Sequence, residues 1–211
     1  MKYLKIISLV LASVLLLAAL ACLGSYQHLK EQDGGFARET DPAEQALRLE
    51  IVNTAKTWLG AQEGSTLHEQ IIQIYNTHQP LAQGYLVTLD DNWCAAFASA
   101  MAISCDLTDI IPTECGCERQ VSLWQAIDRW EEDDTYLPLP GDYIYYAWDD
   151  NWKFGDCTGW SDHVGIVVGT AGPFIKVIEG NKDDQVAYRI IFRHHPEIRG
   201  YGLPDFQSKT A

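Results

Sequence analysis

Positive charge is scarce in this chain. Only 15 Lys and Arg stand against 29 Asp and Glu, a formal net charge of −14, and nowhere do the basic residues cluster. A protein that tracks a phosphate backbone needs such a cluster to displace counterions, so no nucleic acid is expected as a partner. Internal repeats and low-complexity tracts are absent as well. The cysteines also lack the spacing of a zinc site: Cys115 and Cys117 are separated by one residue rather than two, and no second ligand pair matches them. No metal and no cofactor are expected.

What is present is an apolar, aromatic-rich chain of 211 residues, with seven Trp and ten Tyr, long enough for one core plus terminal extras. The first extra is an uncharged run from Ile6 to Leu23 that follows Lys2 and Lys5. Its 18 residues exceed the roughly 7–15 of a signal-peptide core and reach the short end of the roughly 17–25 needed to span a bilayer. An uncleaved anchor over 1–23 is therefore expected. Ala19-Leu20-Ala21 also fits a cleavage site, and Cys22 after it fits a weak lipidation signal. In all three cases the lysines put the rest of the chain outside the cytoplasm, membrane-anchored or secreted.

Disulfides persist in that compartment. Outside the apolar run the cysteines are Cys94, Cys105, Cys115, Cys117 and Cys157, an odd number, so at least one thiol is expected to stay free. Cys105, Cys115, Cys117 and Cys157 are read as structural, with one or two disulfides among them.

Residues 24–40 have few apolar side chains and no period, and read as a polar stalk. The domain then runs over 41–205, with a short tail at 206–211. "DPAE" at 41–44 offers an N-cap acid and a proline at the first helical position, which predicts a helix to Gly60. "TLHE" at 66–69 opens a second helix that ends before Pro80. "WCAAFASAMAI" at 93–103 lacks Gly and Pro and predicts a third, whose small side chains let it lie close to a sheet. A fourth is expected from Arg119 to Trp130. After Pro140 four β-branched and aromatic runs follow, at 142–148, 163–169, 174–180 and 186–192, and read as an antiparallel meander. Helices first and strands afterwards predict an α+β domain, N-terminal helices packed on a C-terminal antiparallel sheet.

With Asn92 as a cap, Cys94 falls in the first turn of the third helix, where unpaired N–H groups and the helix dipole favour a thiolate. A nucleophile of this kind needs a base, and His163 opens a strand whose hairpin bends at "TAGP". Symmetric pairing about Ala171 sets His163 opposite Glu179, with Asn181 on the same face; a register slip of two would place Val177 or Asn181 there instead. Nucleophile, base and orienting group are the parts of a catalytic triad.

"WCAAF", "SDHVGIVVG" and "IEGN", in this order and spacing, resemble the CHAP family, the cysteine, histidine-dependent amidohydrolase/peptidases of the papain-like superfamily of cell-wall hydrolases. The resemblance covers about Asp41 to Pro204. It implies a papain-like fold, a nucleophile at Cys94, a base at His163, and Glu179 and Asn181 as the orienting groups. It also implies a bacterial or phage enzyme that cuts an amide bond of peptidoglycan through a thioester, as an N-acetylmuramoyl-L-alanine amidase or as an endopeptidase of the peptide stem or cross-bridge. The backbone N–H of Cys94 and Asn92 would bind the oxyanion, and Trp93, Trp148, Trp152 and Trp160 would line a substrate groove. Asp90 and Asp91 do not form the calcium loop of some phage relatives. A monomer is expected. The other readings of the same residues are a catalytically silent wall-binding module and a cysteine peptidase acting on protein.

Overall fold

A computed structural model describes residues 2–133, 135–148 and 159–210, with the side chains of 2–6 left aside. The chain is α+β. Among the described residues five α-helices precede all the strands: α1 (Lys2–Glu31), α2 (Pro42–Lys56), α3 (Thr66–Thr77), α4 (Cys94–Ser104) and α5 (Cys117–Ala126). Strands β1 (Trp130–Glu131), β2 (Tyr143–Tyr146), β3 (His163–Ala171), β4 (Phe174–Lys182), β5 (Gln185–Phe192) and β6 (Ile198–Gly202) form one antiparallel sheet in the order β1-β6-β2-β3-β4-β5.

Local chemistry sets most boundaries. Asp41 caps α2 by accepting from the Ala43 N–H at 2.8 Å, and Ser65 caps α3 by accepting from the His68 N–H at 3.3 Å. Helix α4 is buried almost all round and crosses the sheet closely enough that a Cβ on Gly180 would lie 2.4 Å from the Phe97 Cβ. The alanine-rich sequence permits that approach. Between helices and sheet lies the larger core, built on Ile51, Ile71, Phe97, Met101, Trp124, Tyr143, Tyr145 and Ile166. A smaller cluster on the opposite sheet face contains Ile144, Tyr146, Val167 and Val177.

Three expectations about layout change. The fourth helix is α5, ending at Ala126, and Trp130 belongs instead to β1, paired with β6; both strands are too short or too glycine-rich to show a period in the sequence. The 206–211 tail contributes Phe206, 1% exposed, which packs beneath the Arg48 guanidinium at 4.7 Å. The 24–40 stretch is not a free stalk. α1 continues to Glu31, Leu29 is fully buried, Tyr26 meets Phe174 edge-on at 5.5 Å, and Gly35 exchanges backbone hydrogen bonds with Thr170 at 3.0 and 3.1 Å. Lys176, itself buried, donates to the Gln32 carbonyl at 2.9 Å. Three or four well-placed contacts suffice to dock a segment that has no hydrophobic period of its own.

The apolar part of α1 is exposed along its length, and the segment Ile7–Glu31 is long and apolar enough to cross a membrane; an N-terminal signal sequence meets the same description. Because Leu29 is the α1 side chain that is fully buried where the helix meets the domain, Leu29→Ala should cost about 2–5 kcal/mol. Thermal unfolding of the full chain in detergent micelles checks this, with Leu23→Ala, on the exposed stretch, as the variant expected to leave the midpoint in place.

Candidate active site

Helix α4 begins at Cys94 itself. Its N-cap is Trp93, which makes no side-chain cap, so the thiol occupies the first helical position, one step nearer the end of the helix than an Asn92 cap implied. Asn92 is exposed, and its Oδ1 accepts from Asn181 Nδ2 at 3.3 Å. Cys94 is only 4% exposed, and its Sγ lies 3.5 Å from Cys117 Sγ at the first residue of α5.

His163 opens β3 and reaches the same point from the sheet. Its Nε2 lies 3.1 Å from Glu179 Oε2, which leaves Nδ1 for the thiol. Glu179 is fully buried, and its second oxygen, Oε1, accepts from Arg189 Nε at 2.7 Å. A hydrogen bond from Cys117 holds the Cys94 thiol well below its ordinary value, against the opposing effect of burial, with the hydrogen bond and charge of His163 adding to the shift. Burial works against the imidazolium of His163 too, yet hydrogen bonds and charge from Cys94 and Glu179 raise it to about 9. Glu179 stays below the usual carboxylate range despite its burial, through His163 and Arg189. Cys117 moves the other way, well up, because it donates to Cys94. The lowered thiol and the raised imidazole both favour a thiolate–imidazolium pair backed by a carboxylate.

The hairpin register differs from symmetric pairing about Ala171. Ile166 faces Ile178 and Val167 faces Val177, a slip of two that a bulge between Val167 and Gly169 absorbs around the Gly172-Pro173 turn. A slip of two conserves the face, so Glu179 remains on the His163 side but reaches it diagonally. Gly165 makes that reach feasible: a Cβ there would lie 2.7 Å from Glu179 Cγ and 2.5 Å from Val177 Cγ1.

Asn181 does not join His163. It sits at φ 54° where the β4–β5 ladder shifts register between Glu179 and Lys182, and the left-handed backbone breaks the alternation that put it on the histidine's face. Its amide ties the end of β4 to the loop before α4 through Asn92, which makes it a brace between the helix that carries Cys94 and the sheet that carries His163. Trp93 is a core residue, fully buried, its ring tilted against that of His68 at 4.5 Å and its indole N–H donating to Glu63 Oε2 at 3.2 Å. Trp148 stands beside the site, stacked on Tyr146 at 4.5 Å, with its ring 6.4 Å from that of His163. Trp160 is 75% exposed, and Trp152 lies outside the described residues. Cys22, Cys94, Cys105, Cys115 and Cys117 are free thiols, so no disulfide forms among the described cysteines; Cys157 lies outside them.

Sequence reasoning missed three contributors. Arg189 clamps Glu179 and lies 4.7 Å over the Trp148 ring; its only signal was a charge inside an otherwise apolar strand. Asp162 accepts from the Trp148 backbone N–H at 3.0 Å and so fixes the loop beside the imidazole. Glu118, in the first turn of α5, accepts from the Ser161 N–H at 2.8 Å and positions the entry to β3.

The ionisation of Cys94 gives a direct readout of this chain of charges. Glu179→Gln removes the negative charge beside His163, which lowers the imidazole from about 9 and weakens its support of the thiolate. The midpoint of Cys94 alkylation by iodoacetamide, followed by peptide mass analysis across pH, should move up toward the ordinary thiol range; an unchanged midpoint would detach Glu179 from the site. Gly165→Ala should shift it in the same direction without altering any charge, by displacing Glu179, and should cost about 1–3 kcal/mol of stability by overpacking.

No family model matches this chain, and no curated protein matches it. Among solved structures it is similar to one titled the crystal structure of Ly7917, at 12% identity and a TM-score of 0.40, over 74% of this chain and 62% of that one. The chain thus spans less than two thirds of that structure, and a likeness at this level carries no argument about fold or activity.

Proposed function

We propose that the chain is a cysteine-dependent peptidoglycan hydrolase with a papain-like, CHAP-like catalytic domain. The observation that carries the reading is the bridging position of His163, one side of its ring toward the Cys94 thiol and the other on the buried Glu179. A mechanism of amide cleavage uses each part of this arrangement. The Cys94 thiolate attacks the carbonyl carbon, and the oxyanion that forms is met by the N–H groups at the start of α4, the backbone N–H of Cys94 among them. The imidazolium of His163 gives its proton to the leaving amine, leaving a thioester on Cys94. Water, deprotonated by the now neutral His163, then attacks the thioester and regenerates the thiolate. Glu179 holds the ring orientation and stabilises its positive form in both steps, as the third member does in triads generally.

Support for a wall substrate comes from the sequence resemblance and from the apolar N-terminal helix, which suits an enzyme acting at the membrane's outer side. The bond cut is an amide of the muramoyl-L-alanine junction or of the peptide stem or cross-bridge. Rate requires the thiolate and imidazolium together, so activity should be greatest between the lowered value of Cys94 and about 9, falling on both sides.

The test uses the full chain in detergent micelles with purified peptidoglycan under reducing conditions. Clearing of the suspension is expected, with none from Cys94→Ala or His163→Ala, and mass analysis of the fragments identifies the new amino terminus and hence the bond. Equal clearing by Cys94→Ala removes the thiol from the mechanism. Binding of the wall without cleavage by the unaltered chain favours the silent module, and cleavage of casein but not of peptidoglycan favours a peptidase of proteins.

A further inference from the structure

Cys94 is not alone at the head of its helix. Cys117 is 23 residues further along the chain, yet its sulfur lies 3.5 Å from that of Cys94, and both residues are the first of their helices, α4 and α5. Both are nearly buried, at 4% and 7% exposure. A disulfide needs about 2.05 Å between the sulfurs, so the two must close by about 1.5 Å. Neither helix start is held by a side-chain cap, and such ends are where a helix adjusts most readily. The neighbouring thiols are engaged elsewhere: Cys115 lies against Glu114 Oε1 at 3.5 Å, and Cys105 against Thr54 Oγ1 at 3.2 Å. Simple hydrolysis asks for one thiol, and a second in van der Waals contact with it is surplus to that chemistry.

We propose that Cys117 is a resolving cysteine, and that Cys94 and Cys117 form a reversible disulfide when the protein meets hydrogen peroxide. The Cys94 thiolate attacks one peroxide oxygen and breaks the O–O bond, giving a sulfenic acid on Cys94 and a hydroxide that takes up a proton as water. The Cys117 sulfur then attacks the sulfenic sulfur; its S–O bond breaks, and the leaving hydroxide takes the Cys117 proton as a second water. Two thiols are oxidised to one disulfide as the peroxide is reduced to two waters. An external dithiol reverses the step by exchange through a mixed disulfide. The pair thus shields Cys94 from irreversible oxidation to the sulfinic acid. The bond requires only a reactive Cys94; its consequence, a hydrolase switched off by oxidant and restored by reductant, rests on the function proposed above.

The experiment treats the full chain in micelles with hydrogen peroxide, then maps peptides by mass under non-reducing conditions and counts free thiols. The expected product is a crosslink between the Cys94 and Cys117 peptides, with a loss of two hydrogens and two free thiols, reversed by dithiothreitol. Cys117→Ser should instead accumulate two oxygens on Cys94, and dithiothreitol should not remove them. Sulfinic acid on Cys94 of the unaltered chain without the crosslink, or a crosslink of either cysteine to another partner, overturns the proposal, and neither result depends on how Cys117→Ser folds. Peptidoglycan clearing, measured in parallel, separates the two ideas. A crosslink that forms in a chain with no hydrolytic activity retains the dithiol and removes the hydrolase. Activity that survives complete crosslinking removes Cys94 from catalysis. Activity lost to peroxide and not regained with dithiothreitol sinks the switch and leaves the hydrolase standing.

Discussion

A carboxylate buried with no solvent contact governs this site. Glu179 is fully enclosed, and an isolated charge in such a place costs several kcal/mol unless both oxygens are paired. Here His163 takes one and Arg189 the other, and the sequence of groups from thiol to guanidinium alternates in sign: thiolate, imidazolium, carboxylate, guanidinium. Each favours the charged form of its neighbours. The reactivity of a cysteine on a helix therefore depends on the register of three strands, β3, β4 and β5, which carry the other members.

Backbone economy lets those strands deliver the charges. Gly165 leaves the space through which the Glu179 side chain crosses diagonally to the histidine, and Gly180 leaves the space in which Phe97 of α4 rests on the sheet. The two glycines thus act on opposite faces: one opens the path for the carboxylate, and the other sets how near the helix lies. Asn181, one residue beyond Gly180, turns left-handed and fastens β4 to the loop before Cys94, so helix start and strand end move together. A nucleophile and a base on different elements keep a fixed separation only if something links the elements.

Periodicity and capping residues made most of the helices and the strands β2 to β5 legible in the sequence, and the pairing of His163 with Glu179 followed from the hairpin's approximate symmetry, while Cys94 was joined to them by a nucleophile's need for a base. A two-residue register error left the Glu179 reading intact because strand faces repeat every two residues. The same rule failed for Asn181, where one left-handed residue interrupts the extended backbone and the alternation with it. Trp93 illustrates another limit: a tryptophan beside a nucleophile has the same letter whether it lines a groove or packs on His68, and only the direction of the helix start decides. Cys117 was beyond reach in a different way. Its contact with Cys94 joins the first turns of two helices that share no local pattern, and contacts of this kind arise from the packing of whole elements.

The N-terminal helix docks at the end of the sheet away from the candidate site. Leu29, Gln32 and Gly35 meet the β3–β4 hairpin near Thr170 and Lys176, while His163 begins the same β3 strand seven residues earlier. At roughly 3.3 Å per residue the two points lie on the order of 20 Å apart. A docked helix fixes direction as well as distance, as a flexible stalk of the same length does not. Cleavage after Ala21 would leave Tyr26 and Leu29 in place, because the docking residues all follow that point. The contact accordingly serves the folded domain whether the apolar helix remains or is removed, and it explains why so polar a stretch is ordered.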